Sequence, residues 1–256
     1  MARGYGQFCP VAKAAEVFCE RWNALLLREL GAGSTHFADL QRGVPLMSPS
    51  TLSRRLRELE REGVIERRRS GAAGSWTYHL TPAGEEFLPL VEALGIWGRR
   101  WSRRELDEGE VDLQLLLWDM ERTVRGDAFG AGRSVVQLEL TDQPRSKRLW
   151  WFVNDDGRTQ VCIDDPGFEV DLYLSATLVD MVHVWRGDVP LADALEHRRL
   201  RAHGATHLVR ALGRWLTLSH FAGVEPARGD AGRDRRDSPG DETRKASHGV
   251  RSISEK

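Results

Sequence analysis

Apolar residues recur with helical spacing from the start of the chain. Val11, Ala14, Ala15 and Phe18 share one face over residues 10–19, and Pro10 sits in the first turn, where its missing N–H is not needed. Leu25, Leu26 and Leu30 predict a second helix over about 22–30, stopped by Gly31-Ala32-Gly33. Ser34-Thr35 can cap a short third helix that carries Phe37 and Leu40 and ends at Gly43. In a fourth helix, Ser48 is the cap, Pro49 takes the first position, and Leu52, Leu56 and Leu59 make one buried stripe ending before Gly63. The period then changes. Residues 64–69 and 75–80 read as two antiparallel strands around the loop 70–74. Thr81-Pro82 repeats the cap-plus-proline device and begins a long helix whose stripe is Phe87, Leu90, Val91, Leu94, Trp97 and Trp101. That stripe is larger than a small domain can cover by itself, which predicts a partner surface.

Residues 105–112 are acidic and aperiodic, so a domain boundary is placed there. Beyond it a helix carries Leu113, Leu116, Leu117, Met120 and Val124, and strand signals follow at 134–140, 149–154, 159–163 and 169–174. Asn154-Asp155-Asp156-Gly157 is a hairpin turn. Helices are expected at 175–185 and 191–197, a short strand at 200–202, and a last helix at 206–218. Strands followed by helices indicate an α+β unit over 105–223. Residues 224–256, rich in Gly, Asp, Arg and Ser, are expected to form a disordered tail. The overall expectation is α+β: an N-terminal winged helix-turn-helix in 1–104, with a three-helix core, two-stranded wing and long dimerisation helix, then a separate α+β domain.

Composition alters this picture little until it is divided. The 256 residues are 41% hydrophobic and 29% charged, near globular averages. The sequence has no apolar run of the roughly 18 residues a membrane span needs and no signal-peptide core, which points to the cytoplasm. Cys9, Cys19 and Cys162 suit neither a disulfide framework nor a zinc site and are expected as free thiols. The net charge of −1 hides a polarity: Lys+Arg stand at 16 against 11 Asp+Glu in 1–104, and at 13 against 20 in 105–223. Only the first segment suggests a polyanionic partner.

The candidate chemistry lies on the fourth helix. Opposite its leucine stripe stand Ser50, Thr51, Ser53, Arg54, Arg57 and Arg61, with Ser48 at the cap. Small hydroxyls followed by guanidinium groups suit a helix entering the major groove, where Arg bonds guanine edges bidentately. The plainer reading is a solvated face, its arginines paired with Glu58, Glu60 and Glu62. Arg67, Arg68 and Arg69 lead to a small flexible tip, as a wing on the phosphate backbone requires. Strand alternation lets only some of them face DNA, Arg68 and Arg69 being the candidates and Arg69 the nearest to the tip. An enzyme is not expected: no nucleophile elbow, phosphate loop or metal spacing occurs, and Asp155-Asp156 and Asp164-Asp165 sit where turns want aspartate. No cofactor is expected either, and the histidines are scattered.

The strings CPVAKAAEVFCERWNALLLREL, FADLQRGVPLMSPSTLSRRLRELEREGVIERR and YHLTPAGEEFLPLVEALGIWG, in that order over residues 9–101, closely resemble the HxlR-type winged-helix regulators. The resemblance implies a homodimer built from the first and last helices of this domain, residues 50–61 as recognition helix, and an inverted-repeat operator in double-stranded DNA. In some members the cysteine of the N-terminal motif senses oxidants, which makes Cys9 a redox candidate; a small residue packed at a dimer seam is the bland alternative. Residues 170–216, from VDLYLSATLVDMVHVWRGD to ALGRWL, resemble the sterol carrier protein type domain. That resemblance implies an apolar tunnel, for which Leu172, Leu174, Met181, Trp185, Leu208 and Leu212 are the wall candidates. The reading is a dimeric, sequence-specific transcriptional regulator, a repressor, modulated by an apolar small molecule in the C-terminal domain. Its alternatives are a lipid-like carrier that uses the N-terminal module to dimerise, and a thiol-based redox regulator.

Overall fold

The computed structural model describes residues 4–70, 74–102, 106 and 110–227. The wing tip at 71–73, half of the expected boundary and the expected tail from 228 onward lie outside the described residues.

Helices α1 (Pro10–Phe18), α2 (Asn23–Gly31), α3 (Phe37–Gly43) and α4 (Pro49–Arg61) form where the apolar spacing places them. The stripes of α2, α3 and α4 meet in one core of Leu26, Leu27, Leu40, Leu52, Leu56 and Leu59, all at most 1% exposed, with Val17 and Phe18 of α1 packed against it. The chain turns from α1 into α2 at Trp22, whose φ of 83° is a left-handed conformation that costs a tryptophan energy. Strands β1 (Ile65–Ser70) and β2 (Ser75–Leu80) pair antiparallel with Arg69 opposite Trp76. The root of this ribbon is fixed, since the Tyr78 N–H donates to the Thr35 carbonyl at 2.8 Å beside the entry to α3.

The single long helix expected after Thr81 is two helices, α5 (Pro82–Glu85) and α6 (Leu88–Trp101). Pro89, in the first turn of α6, has no N–H to give Glu85, and its ring would strike that carbonyl in a continuous helix. Phe87 at the break stacks on Phe18, with ring centroids 5.3 Å apart.

The second unit holds α7 (Leu113–Thr123), a 3-10 turn at Gly126–Phe129, β3 (Arg133–Leu140), α8 (Arg145–Arg148), β4 (Leu149–Asp155), β5 (Arg158–Cys162) and β6 (Leu172–Ala176). It is completed by α9 (Leu178–Arg186), α10 (Leu191–Glu196), β7 (Leu200–Gly204) and α11 (Thr206–Trp215). The sheet order is β5-β4-β3-β6-β7, with β3 and β6 parallel and the other neighbours antiparallel. The β4–β5 hairpin turns at Asp156 and Gly157, at φ 46° and 89°, as a two-residue turn with two positive φ angles requires. Several boundaries differ from expectation: β6 starts at Leu172 and not at 169 and runs to Ala176, α9 starts at Leu178, three residues later than the helical pattern suggested, and α11 ends at Trp215 and not at 218. Thr177 decides the start of α9, because its hydroxyl caps the helix by accepting from the Asp180 N–H at 3.0 Å, while Ser175 and Ala176 pair with Glu139 and Leu140. No helix among the described residues is long and apolar enough to cross a membrane.

The two units meet around a carboxylate. Glu29 of α2 has no exposed side-chain surface and takes hydrogen bonds from Arg28 (2.8 Å), Trp118 Nε1 (3.1 Å) and Arg122 (2.9 Å), the last two on α7. Gly43 closes the space, since a Cβ there would lie 2.1 Å from the Glu29 carboxyl carbon. Arg42 stacks on Trp118 at 4.0 Å and pairs with Glu121 at 2.7 Å. A second tie joins Arg99 of α6 to Asp188, which also accepts from His183 at 3.1 Å and pairs with Arg186 at 3.3 Å. Burial works against ionisation of Asp188, but the hydrogen bonds from His183 and Arg99 and the charges of Arg186 and Arg99 outweigh it and hold the carboxyl at about 2.

Arg122→Met leaves a fully buried carboxylate short of a charged donor and is expected to lower unfolding stability in urea by about 3 kcal/mol, whereas Arg42→Met at the exposed rim costs about 1 kcal/mol or less. Asp188 has a folded pKa below its ordinary value of 3.8, so its contribution is complete above that value and disappears as pH falls through about 2. The stability difference between the wild type and Asp188→Asn, measured by urea unfolding, is therefore expected to be constant at neutral pH and to close between these two values.

Candidate nucleic-acid interface

The fourth helix separates its two faces as its sequence demands. The Ser48 hydroxyl accepts from the Thr51 N–H at 3.3 Å, donates to the Thr51 hydroxyl at 2.8 Å, and lies 3.1 Å from that of Ser50. Proline at the first position and this cap start α4 sharply, with the Thr51 and Leu52 N–H groups taken by the Ser48 hydroxyl and carbonyl. Leu52, Leu56 and Leu59 are buried; Ser50, Arg54, Arg57 and Arg61 are exposed, and Thr51 and Ser53 are half-buried.

The arginines are not equivalent. Arg54 leans on Glu58 at 3.5 Å and Arg61 on Glu62 at 3.4 Å, both with more than half of their side chains exposed, so the pairs are weak and exchangeable. Arg57 has no ion-pair partner among the described residues. Arg55 turns inward and is 9% exposed; it pairs with Glu20 at 2.7 Å and Glu58 at 2.8 Å, tying α4 to the α1–α2 turn. The sequence reading gave Arg55 no role. Its spacing held the signal, because residue 55 is three after Leu52 and four before Leu59, on the buried stripe.

On the wing, Arg67 and Arg69 lie over the ring of Trp76 at 4.2 and 5.2 Å, sharing one face of the ribbon. Arg68 lies on the other face and pairs with Glu66. The two wing candidates, Arg68 and Arg69, therefore point apart, and Arg67 is the residue that stands with Arg69. Neither α1 nor α6 buries a residue: Val11 is 75% exposed, Trp97 60%, and Leu90, Leu94 and Trp101 are exposed beside it. Cys9 is the N-cap of α1, half-buried and a free thiol; Cys19, at the other end of the helix, is exposed.

A capped helix with an outward hydroxyl and arginine face, preceded by a short helix and followed by an antiparallel ribbon, is the geometry of a winged helix-turn-helix. The model of the HxlR-like helix-turn-helix family matches residues 17–106. The uncharacterized HTH-type transcriptional regulator YvaP of Bacillus subtilis is 33% identical over 97 residues, 37% of this chain and 90% of YvaP. The chain belongs to the HxlR-like helix-turn-helix family. An HTH-type transcriptional regulator of Methanothermobacter thermautotrophicus is 31% identical over 103 residues, 40% of this chain and 79% of its own length. Among solved structures the chain is similar to the redox regulator HypR in its oxidized form, 28% identical with a TM-score of 0.36, covering 38% of this chain and all of that one. The HxlR-like match includes α2 to α6 and ends at residue 106, so the second unit lies outside it.

The tunnel-wall candidates in that second unit are core residues. Leu172, Leu174, Met181, Leu208 and Leu212 are at most 1% exposed and packed together, and Trp185 lies half-buried against them. They line neither of two hollows that open at β7.

Ser48→Ala removes the side-chain cap of α4 and is expected to cost about 1 kcal/mol in urea unfolding, while Ser50→Ala, at an exposed non-capping position, changes stability by less than about 0.5 kcal/mol.

Proposed function

We propose that this HxlR-like regulator is a homodimer that reads an inverted-repeat operator with α4, represses by occupying it, and receives a small-molecule signal in its C-terminal domain. The observation that carries the DNA-reading part is the outward face of α4, where Ser50, Arg54, Arg57 and Arg61 stand exposed beside a wing bearing Arg67 and Arg69. Arg57, with no ion-pair partner among the described residues, is assigned a base-edge contact, and the wing arginines phosphate contacts.

Dimerisation is inferred from α1 and α6, whose Val11, Leu90, Leu94, Trp97 and Trp101 leave an apolar surface that a second copy would bury. A two-fold pairing of this kind sets the two α4 helices about one DNA turn apart. Cys9 begins the same surface and is read as a packing residue of the seam. The signal-receiving role of the second unit rests on its resemblance to sterol carrier type domains and on the Glu29 and Asp188 ties, which give a bound ligand a route to α2 and α6.

The test is selection of duplexes from a random-sequence pool by the full chain. An inverted repeat with half-sites about 10 bp apart is expected, with affinity falling roughly a thousandfold between about 50 and 200 mM salt if some six phosphates are contacted. Arg57→Ala is expected to weaken the selected site at least about tenfold, and Trp97→Glu to convert the dimer to monomer in sedimentation equilibrium. Absence of duplex binding at low salt would sink the regulator reading and leave the carrier one.

A further inference from the structure

The acidic second unit contains a long basic stretch near its C-terminal end. Residues 195–214 hold Arg198, Arg199, Arg201, Arg210 and Arg214 against the single acid Glu196. The fold gathers the first three of these at one edge, because α10 ends there and β7 is the outermost strand of its sheet. Arg198 itself has a φ of 58°, directly after the cap of α10, where glycine is the low-cost residue. An arginine is held there in spite of the strain.

Two hollows flank these side chains. The larger, about 610 Å³, is walled by Leu195, Leu200, Ala202 and Val209, with Arg198 and Arg201 completing it. It is a shallow depression open to solvent, so a ligand lying in it would be covered on one side only. The smaller, about 110 Å³, shares Arg198 and Arg201 and adds Arg199 with the hydroxyl residues Thr141, Ser175 and Thr177. None of the three arginines has an ion-pair partner among the described residues. Asp180, the one acid lining the small hollow, already accepts from the Thr177 hydroxyl at 2.7 Å. The neighbouring helix start offers little, since the Leu178 and Asp180 N–H groups are taken by Asp142 and Thr177. The donors left for a ligand are the guanidinium groups, whose planar forks suit carboxylate or phosphate.

We propose that this edge binds an amphiphilic anion, a compact carboxylate or phosphate head among Arg198, Arg199 and Arg201 with its apolar body in the larger hollow. Binding stands on these residues alone; its service as the regulatory signal rests on the regulator reading above.

The test is calorimetric titration of the full chain with dodecanoate and with dodecyl phosphate, each below its micellar concentration, and with 1-dodecanol and inorganic phosphate as comparisons. Both amphiphilic anions are expected to bind, the stronger one identifying the head group. The alcohol and the bare phosphate are expected to be at least tenfold weaker. The double variant Arg198→Gly, Arg201→Gln, which keeps the fold because glycine adopts the left-handed backbone freely, is expected to lose at least tenfold while retaining its thermal melting curve and DNA affinity. Equal binding of 1-dodecanol, equal binding of inorganic phosphate, no binding at all, or an unchanged double variant would each overturn the proposal. Loss of DNA affinity in that variant would also overturn it, by assigning the arginines to the duplex. Anion binding with no effect on operator affinity would keep the site and remove only its regulatory role.

Discussion

A carboxylate removed from water must find all its partners in the protein, and Glu29 finds them in both halves of the chain. Arg28 comes from its own helix, Ser34 from the turn that follows, and Trp118 and Arg122 from α7 across the boundary. The space around it is so tight that α3 must end on a glycine. The helix-turn-helix is thus completed by a helix of the second unit. With α7 absent, Glu29 would keep a charged partner only in Arg28, itself partly exposed. A chain cut at the acidic boundary would therefore be missing part of the environment that sets α2 against α3. For this reason DNA binding is better measured on the full chain than on its N-terminal part.

The second tie acts on a different element. Arg99 and Asp188 join α6 to the end of α9, and Phe221 packs so closely on α6 that a Cβ at Gly95 would lie 2.2 Å from its ring. The second unit therefore grips the winged helix both at α2–α3, behind the reading helix, and at α6, the helix with the large apolar face. Moving the unit as a body must either carry these two elements with it or break two ion-paired contacts, one of them to a fully buried carboxylate. While both contacts hold, α3 and α6 move together with the unit, and a relative displacement of the two requires that one contact break.

Much of this was legible in the sequence, and the exceptions have physical causes. The leucine stripes of α2 and α4, the cap of Ser48 and the Asp156-Gly157 turn are local devices, and local devices can be read from one string. Pro89 was also local: a proline seven residues into an expected helix marks the break between α5 and α6. The shift at β6 and α9 was harder, because residues 171–184 satisfy an alternating and a helical pattern at once and only the Thr177 hydroxyl chooses between them. Glu29 could not be read at all, since its partner Arg122 is 93 residues away and nothing near either residue announces the pairing. The tunnel-wall candidates show a third limit. A residue apolar because it lines a cavity and one apolar because it fills a core look alike in sequence, and here Leu172, Leu174 and their neighbours fill the core.

The arginines divide along a similar line. Arg54 and Arg55 are adjacent and chemically identical, yet one is exposed and the other pairs with Glu20 and Glu58 against the core. What separates them is the face each occupies and the carboxylates within reach there. Arg55, Arg99 and Arg122 are paired with acids, lose most of their water and hold elements together. Arg57 on α4 and Arg198, Arg199 and Arg201 beside β7 keep their water and have no acid pair among the described residues. A guanidinium already desolvated and neutralised has little left to offer a ligand, whereas a hydrated and uncompensated one can exchange water for phosphate or carboxylate at modest cost. Counting arginines therefore says less about polyanion recognition than asking which of them the fold has left unpaired.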